Sequence, residues 1–164
     1  MNINMKKTIM KIILFLIPAI FSFANGNSAK DISIADDAPF SKVKRIDWNL
    51  AEVKNSSKTI IIDRTNVQRE TYSIRFQEER IRGRGADNLF FAPYTVGANN
   101  SLSIQKIAGT YMVPMFEMEN FSEHEYFRHL EKAYRWEFED WILKLYTYDE
   151  NNEDVILEFI PIYK

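Results

Sequence analysis

The sequence predicts an α+β fold, in which a strongly curved antiparallel sheet or partly open barrel of about seven or eight strands carries one packed helix. Three observations support this prediction. Apolar and polar residues alternate along several short segments after residue 44, and turn-forming residues separate those segments. A single segment near residue 125 combines helical periodicity with a capping sequence.

Residues 1–24 have the features of a secretory signal peptide. Three lysines precede an apolar run that ends at Phe23, and small residues stand at the −3 and −1 positions of a cleavage site after Ala24. The run is shorter than the ~20 residues of a membrane-spanning helix, so we expect an exported protein, periplasmic or secreted, that meets the membrane only through this segment. An uncleaved anchor is the alternative. Residues 25–43 are predicted to be a flexible leader and residues 44–164 the folded domain.

Composition excludes several classes of function. The chain has no cysteine, so it has no disulfide, no thiolate metal site and no cysteine nucleophile. Residues 1–24 contain three lysines and no acidic residue, so the rest of the chain has 18 basic and 23 acidic residues, a net charge of −5. That balance argues against nucleic acid, whose phosphates require a basic face. Nucleic acid is therefore not an expected partner, and the expected state of the protein is a monomer.

The first strands are predicted between residues 46 and 77. Residues 46–53 form the first, with a turn at 55–57, and the β-branched run at 59–63 is predicted to be a strand buried on both faces. Residues 72–77 alternate, with Tyr72, Ile74 and Phe76 facing one side. Residues 78–79 are the expected hairpin loop.

The next segment centres on two glycines and an asparagine. Residues 80–85 alternate arginine with Ile81, Gly83 and Gly85, and the inward glycines leave room for a bulky neighbour. Asn88 then turns the chain, since asparagine tolerates left-handed dihedrals and can bond nearby backbone groups. We predict that its role is architectural. The expected filler of the space is an aromatic block that turns inward, formed by Phe90, Phe91 and Tyr94.

The remaining segments complete the sheet and supply the helix. Residues 91–96 and 101–107 form a hairpin, and the closing strands are predicted at 134–139, 142–148 and 155–162. Before them, Ser122 and Glu125 form a capping box, while Phe121 and Tyr126 occupy the positions of a hydrophobic staple. An apolar stripe then predicts a helix that packs on the sheet.

The segment from Gly83 to Gly97 resembles the signature of the META domain (HslJ-like) family, roughly G-x-x-G-C-N-x-[FY]-x-G-x-Y-T followed by T-x-M. The resemblance extends from Trp48 to Phe159. Its motif residues here are Gly83, Gly85, Asn88, Phe90, Tyr94, Thr110 and Met112. Ala86 and Asp87 replace the glycine and cysteine of the signature, so the disulfide of some relatives cannot form in this chain.

The resemblance implies a fold and a compartment but no known reaction. It implies an exported, non-catalytic protein of the cell envelope that binds a partner or an apolar ligand in stress tolerance, antibiotic resistance or virulence. The alternative is a carrier of lipid or another small ligand in a cavity inside the barrel. A hydrolase has almost no residues to support it, because the chain contains no G-x-S-x-G elbow and no phosphate-binding loop.

Arginines form the most prominent polar feature of the sequence. Arg75, Arg80, Arg82 and Arg84 are expected to form one basic face across a hairpin. Such a face is a solvated strand surface with cross-strand partners such as Glu70 or Glu78, or a docking site for an acidic partner or a lipid head group, since arginine binds carboxylate and phosphate bidentately.

No catalytic, metal-binding or cofactor-binding residue is predicted. His124 and His129 lie five residues apart on the predicted helix and cannot bind one metal as an i, i+4 pair would, so both are expected at the surface. Asp149, Asn151 and Glu153 resemble the start of a calcium loop, but the required glycine is absent and a solvated hairpin turn is expected.

Overall fold

The structure is a computed structural model that describes residues 40–64, 71–113, 115, 118 and 120–162. The predicted signal peptide at 1–24 and residues 25–39 of the predicted leader lie outside the described residues. The end of that leader is described, and it is packed. Phe40–Lys42 forms a 3-10 helix, and Val43 is fully buried. The packed domain therefore includes Phe40 and does not begin at residue 44.

The described residues form ten strands and one helix. They are β1 (Trp48–Lys54), β2 (Thr59–Ile61), β3 (Ser73–Phe76), β4 (Arg80–Arg84), β5 (Leu89–Val96), β6 (Leu102–Ile104), β7 (Ala108–Gly109), α1 (Glu123–Glu131), β8 (Arg135–Glu139), β9 (Ile142–Tyr148) and β10 (Asp154–Pro161). Eight strands are hydrogen-bonded in the order β6-β5-β4-β3-β1-β10-β9-β8, while the short strands β2 and β7 pair with β1 and β5.

The sheet curves until its two ends meet. Ser101, which precedes β6, forms an antiparallel bridge with Arg135 at the start of β8. The backbone N–H groups of Leu102 and Trp136 donate to the carbonyl oxygens of Tyr134 and Asn100 at 2.9 and 3.0 Å. The fold is thus a nearly closed antiparallel barrel with one helix, which confirms the predicted α+β class.

Large side chains fill the inside of the barrel. The alternation predicted for residues 72–77 is confirmed, because Tyr72, Ile74 and Phe76 are all buried. Burial of an aliphatic or aromatic side chain of this size contributes about 1.5–3 kcal/mol. The other large, fully buried side chains are Trp48, Leu50, Ile81, Tyr126, Leu130, Leu143, Leu145, Leu157 and Phe159.

Strand β2 differs from its prediction. We predicted that residues 59–63 are a strand buried on both faces, but β2 ends at Ile61, which is 68% exposed. The physical reason is its place in the sheet. Among the described residues β2 pairs with β1 alone, beyond the point where β3 leaves that edge. A β-branched run occurs both in buried strands and in edge strands, so composition alone does not predict whether such a strand is exposed.

Helix α1 is capped as predicted. Ser122 Oγ accepts a hydrogen bond from the Glu125 backbone N–H at 3.2 Å, and Glu125 Oε2 accepts one from the Ser122 backbone N–H at 2.8 Å. Phe121 and Tyr126 are both buried, with ring centroids 6.4 Å apart, and complete the hydrophobic staple. Within the described ranges, no helix has the length and apolar character needed to cross a membrane.

Candidate functional site

Four arginines lie on the outer side of β3 and β4, and we call Arg75, Arg80, Arg82 and Arg84 the arginine face. The alternation of β4 buries Ile81 and exposes Arg80 and Arg82. Arg75 of β3 stands directly opposite Arg82, and Arg82 stands opposite Phe91 of β5. The prediction of one basic face across a hairpin therefore agrees with the register of the strands. Like charges placed directly opposite each other repel, so their partners matter.

The partners of these arginines differ. Arg75 Nη1 lies 2.9 Å from Asp47 Oδ2, and both side chains are about a quarter exposed. Arg80 Nε donates to Gln77 Oε1 at 3.2 Å, a neutral acceptor that leaves its charge uncompensated. Arg82 forms no hydrogen bond or ion pair with any described residue. The arginine face thus has more positive charge than its described neighbours neutralise.

Glu78, one of the cross-strand partners expected from the sequence, does not neutralise the arginine face. Glu78 instead pairs with Lys44 and Arg45, at 3.0 and 2.8 Å. These two cations lower the pKa of the Glu78 carboxyl, chiefly through the hydrogen bond from Lys44. Glu70 lies outside the described residues. The acid that does reach the arginine face is Asp47, which precedes β1 and is far from Arg75 in sequence.

A cavity of about 390 Å³ opens beside the arginine face, and we call it the arginine groove. Three members of the face line it, whereas Arg84 turns away and donates to the Asp87 carbonyl oxygen at 3.2 Å. Asp47 is the one acidic side chain among its described lining residues. The apolar part of the lining comprises Ile74, Leu89, Phe90, Phe91 and Ile162. The groove therefore combines cationic and apolar walls.

Phe91 supplies the exposed aromatic wall of the groove. We predicted that the whole aromatic block turns inward, and for Phe91 this is wrong. Strand β5 alternates sides, so Phe90 is 3% exposed while Phe91 is 48% exposed. The Arg80 guanidinium carbon lies 6.0 Å from the centroid of the Phe91 ring, at the outer limit of a cation–π contact. Leu89 lies on the same side of β5 and is also exposed, so two apolar side chains share this surface with the arginines.

The motif residues around Asn88 form a polar cluster with Glu123, which we call the Asn88 cluster (Asn88, Thr110, Met112 and Glu123). Asn88 and Glu123 are buried, whereas Thr110 and Met112 are exposed. Glu123 Oε1 accepts from Asn88 Nδ2 at 2.5 Å. Glu123 Oε2 accepts from the backbone N–H groups of Asp87 and Asn88 at 3.2 and 3.0 Å. Asn88 Oδ1 accepts from Thr110 Oγ1 and the Met112 backbone N–H at 2.9 and 2.8 Å, and Asn88 Nδ2 also donates to the Met112 carbonyl at 2.9 Å.

Close contacts leave no room for a side chain at Gly83 and Gly85. A Cβ atom on Gly83 would collide with the Ser73 carbonyl oxygen and lie 2.8 Å from the Phe90 ring. A Cβ atom on Gly85 would collide with the Glu123 carboxylate and lie 2.6 Å from its Cγ. The predicted aromatic filler is therefore found at Gly83, whereas a buried carboxylate occupies the space at Gly85.

The backbone conformation of Asn88 differs from the one that we predicted. Among the described residues, positive φ angles occur elsewhere, for example at Asn99 and Asn100 in the β5–β6 turn, and Asn88 is not one of these positions. The left-handed dihedral that we predicted is therefore wrong. Four side-chain hydrogen bonds hold Asn88 instead. Tyr94 lies apart from this cluster, where its hydroxyl donates to the Gln77 carbonyl at 2.6 Å and burial raises its pKa.

Sequence reasoning missed Glu123, the centre of the Asn88 cluster. In the sequence it is one of two acids in the first turn of the helix, a position that the helix dipole favours for any carboxylate. The signal that could have indicated it is the pair of small residues Gly85 and Ala86, which leave space for a neighbouring side chain. The Glu123 carboxylate occupies that space beside Gly85.

His129 is buried, which corrects the prediction that both histidines lie at the surface. His124 is exposed, but His129 is 6% exposed and stacks on Phe121 with ring centroids 6.2 Å apart. Burial, and secondly the charge of Arg128, lower the pKa of His129 below 6.5. A cavity of about 230 Å³ lies beside it. Within the described residues, no three His, Asp or Glu side chains converge in a way that could hold a metal ion.

No protein-family model matches this chain, and no curated protein matches it. Among solved structures, the chain is similar to the NMR structure of a protein from Burkholderia xenovorans, with a TM-score of 0.60 and 16% sequence identity. The similarity covers 79% of this chain and 90% of that chain. At this identity the likeness shows the fold alone, and that fold is the nearly closed barrel with one helix described above.

Proposed function

We propose that this protein is a non-catalytic binding protein whose arginine groove holds an anionic ligand with an apolar body. The observation that carries this proposal is Arg82, which lies in the groove between Arg75 and Phe91 without a hydrogen bond or ion pair to any described residue. A guanidinium group presents a planar fork of donors that matches carboxylate and phosphate oxygens. The head of the ligand is therefore a carboxylate or phosphate.

The apolar lining supports an amphiphilic ligand rather than a free inorganic ion. Leu89 and Phe91 are 54% and 48% exposed at the mouth of the groove. Covering such side chains contributes about 25 cal/mol per Å² of apolar surface removed from water. A volume of about 390 Å³ lies within the range of small-molecule sites. A short acyl or alkyl chain that ends in a carboxylate or phosphate satisfies both walls.

The carrier with an internal cavity has less support. The positions that face the barrel interior hold Trp48, Tyr126 and Phe159, each fully buried. The cavity that combines charge with apolar surface instead lies on the outer side of β3, β4 and β5. These features favour a surface site as the place where a ligand binds.

The biological setting rests on the resemblance of the sequence to the META domain family. Under this proposal the protein is exported and acts in the cell envelope, where anionic amphiphiles are abundant. The role in stress tolerance, antibiotic resistance or virulence that the resemblance implies belongs to the same proposal.

Isothermal titration calorimetry with octyl phosphate tests the proposed binding. We expect saturable binding to the protein and none of comparable strength for octyltrimethylammonium, which has the same chain and the opposite charge. Arg80→Gln with Arg82→Gln should weaken the binding of octyl phosphate at least about tenfold, because each charged hydrogen bond contributes about 1.5–3 kcal/mol.

The matched control is Lys42→Gln with Lys106→Gln, which removes the same charge from exposed side chains away from the groove. The control should bind octyl phosphate nearly as the wild type does. Equal binding of the two amphiphiles, or an equal loss in the control and in the arginine variant, would contradict the proposal.

A further inference from the structure

The segment after β7 exposes several large apolar side chains in succession. Tyr111, Val113 and Met115 are 104%, 88% and 83% exposed, and Met112 between them is more than half exposed. We call the four residues Tyr111, Met112, Val113 and Met115 the apolar loop. Contiguous exposed apolar side chains are rare in monomeric proteins and mark sites of protein or membrane interaction.

Hydrogen bonds to the side chains of Asn88 and Asp87 hold the backbone of the apolar loop. Met112 exchanges two hydrogen bonds with the Asn88 side chain, at 2.8 Å to Oδ1 and 2.9 Å from Nδ2. The Met115 backbone N–H donates to Asp87 Oδ2 at 2.7 Å. The buried Glu123 carboxylate in turn holds Asn88. The loop is thus fixed while its side chains project into solvent, so ordering it on binding costs little entropy.

The apolar loop adjoins the arginine face. Asp87 joins the two directly, because its side chain accepts from Met115 and its carbonyl oxygen accepts from Arg84. Leu89 is a second link between the loop and the face. It pairs with Arg84 in the sheet, and its carbonyl oxygen accepts a hydrogen bond from the backbone N–H of Thr110, which precedes the loop, at 3.0 Å. Exposed apolar side chains therefore stand next to the partly buried Arg84, the member of the arginine face at the end of β4.

We propose that the apolar loop inserts into the interface of an anionic lipid surface while the arginine face contacts the lipid phosphates. Interfacial binding depends on buried apolar area together with attraction between basic residues and anionic lipids, and this surface supplies both. The inference uses the arginines of the proposed function as its electrostatic part. It departs from the expectation that the chain meets the membrane only through residues 1–24.

A single fluorescent label tests the insertion of the loop itself. The chain has no cysteine, so Val113→Cys in the full chain accepts one environment-sensitive nitrobenzoxadiazole label and no other site reacts. We expect the emission to increase and shift to the blue with vesicles of phosphatidylcholine and phosphatidylglycerol. Spin labels on the acyl chains should then quench it. Because the label reports on residue 113 alone, membrane binding by residues 1–24 would not produce this signal.

Two comparisons make the result specific. Ile61→Cys, an exposed apolar position on β2, should give no change with the same vesicles. Tyr111→Ser with Met115→Ser should remove most of the response of the Val113 label, and Arg80→Gln with Arg82→Gln should reduce it. Both side chains replaced in the loop are almost fully exposed, so the fold should persist.

Three outcomes would overturn the inference. The first is a Val113 label that stays silent with anionic vesicles, and the second is an equal response to pure phosphatidylcholine. The third is a response that appears without lipid as the protein concentration rises, because it would assign the loop to self-association. Binding of octyl phosphate together with a silent label would leave the proposed function standing and reject only the membrane contact. A label that responds to anionic vesicles in a protein that does not bind octyl phosphate would support the membrane contact and reject the proposed function.

Discussion

At the scale of single residues, Asn88 and Glu123 illustrate how a buried carboxylate is retained in a small barrel. Burying an ionised carboxyl is costly unless donors surround it. Here both oxygens are occupied, by the Asn88 amide on one side and by the backbone N–H groups of Asp87 and Asn88 on the other. The same asparagine also fixes Met112. Asn88 therefore connects the helix, the β4–β5 turn and the apolar loop.

Replacement of Asn88 should separate hydrogen bonding from backbone geometry. Asn88→Ala should lower the free energy of unfolding by about 1–3 kcal/mol, because it removes the side-chain hydrogen bonds to Glu123 and Thr110. Asn88→Gly should lower it further, since φ at this position is not positive and glycine adds about 0.5–1 kcal/mol of backbone entropy cost. Urea denaturation of both variants measures the difference. A glycine variant more stable than the alanine variant would restore the left-handed explanation.

His129 should give the stability a pH dependence of defined sign. Its pKa is lowered in the folded protein, so the unfolded chain binds the proton more readily. The stabilising contribution is therefore complete above about pH 6.5 and is lost as the pH falls below that value toward the folded pKa. Between about pH 7 and pH 5, the wild type should lose more stability than His129→Gln. His124→Gln should behave as the wild type, and an identical pH profile for all three would contradict this assignment.

At the scale of elements, the pairing of β3 with β4 depends on Gly83. Gly83→Ala should destabilise the protein by about 1–3 kcal/mol or more, because the added methyl group meets the Ser73 carbonyl oxygen and the Phe90 ring, and the backbone oxygen cannot move without breaking the strand pairing. Gly97→Ala is the matched control, since its methyl group meets only the Ser101 side chain. Thermal unfolding of the two variants gives the comparison. Equal losses would show that the close approach at Gly83 is easily relieved.

Much of the element structure could be predicted because its signals are local. Period-two alternation predicted β3, and the capping box predicted the start of α1. The exposure of β2 could not be predicted, because it depends on where β3 leaves the edge of β1. The arginines of the candidate site could be predicted from the sequence, but Phe91 and Asp47 could not. Phe91 reaches the site through the register of β4 and β5, and Asp47 through an ion pair between distant segments.

At the scale of the whole molecule, charge is distributed unevenly. The chain has a net charge of −2, yet three of the arginines meet in one groove, where Asp47 is the single acidic side chain among the described lining residues. Attraction between such a groove and an anionic ligand weakens as salt shortens the range of the interaction. The barrel interior, in contrast, is packed with large buried apolar side chains, and these stabilise the fold.

The position of a bound anionic amphiphile tests the central claim most directly. Octyl phosphate should be titrated into the isotope-labelled protein while the backbone amide signals are followed by NMR. We expect the largest shifts at residues 80–84 and 89–91, which border the arginine groove, and little change at the buried residues Leu145 and Leu157. Largest shifts at those interior residues, or beside the cavity at His129, would contradict the account.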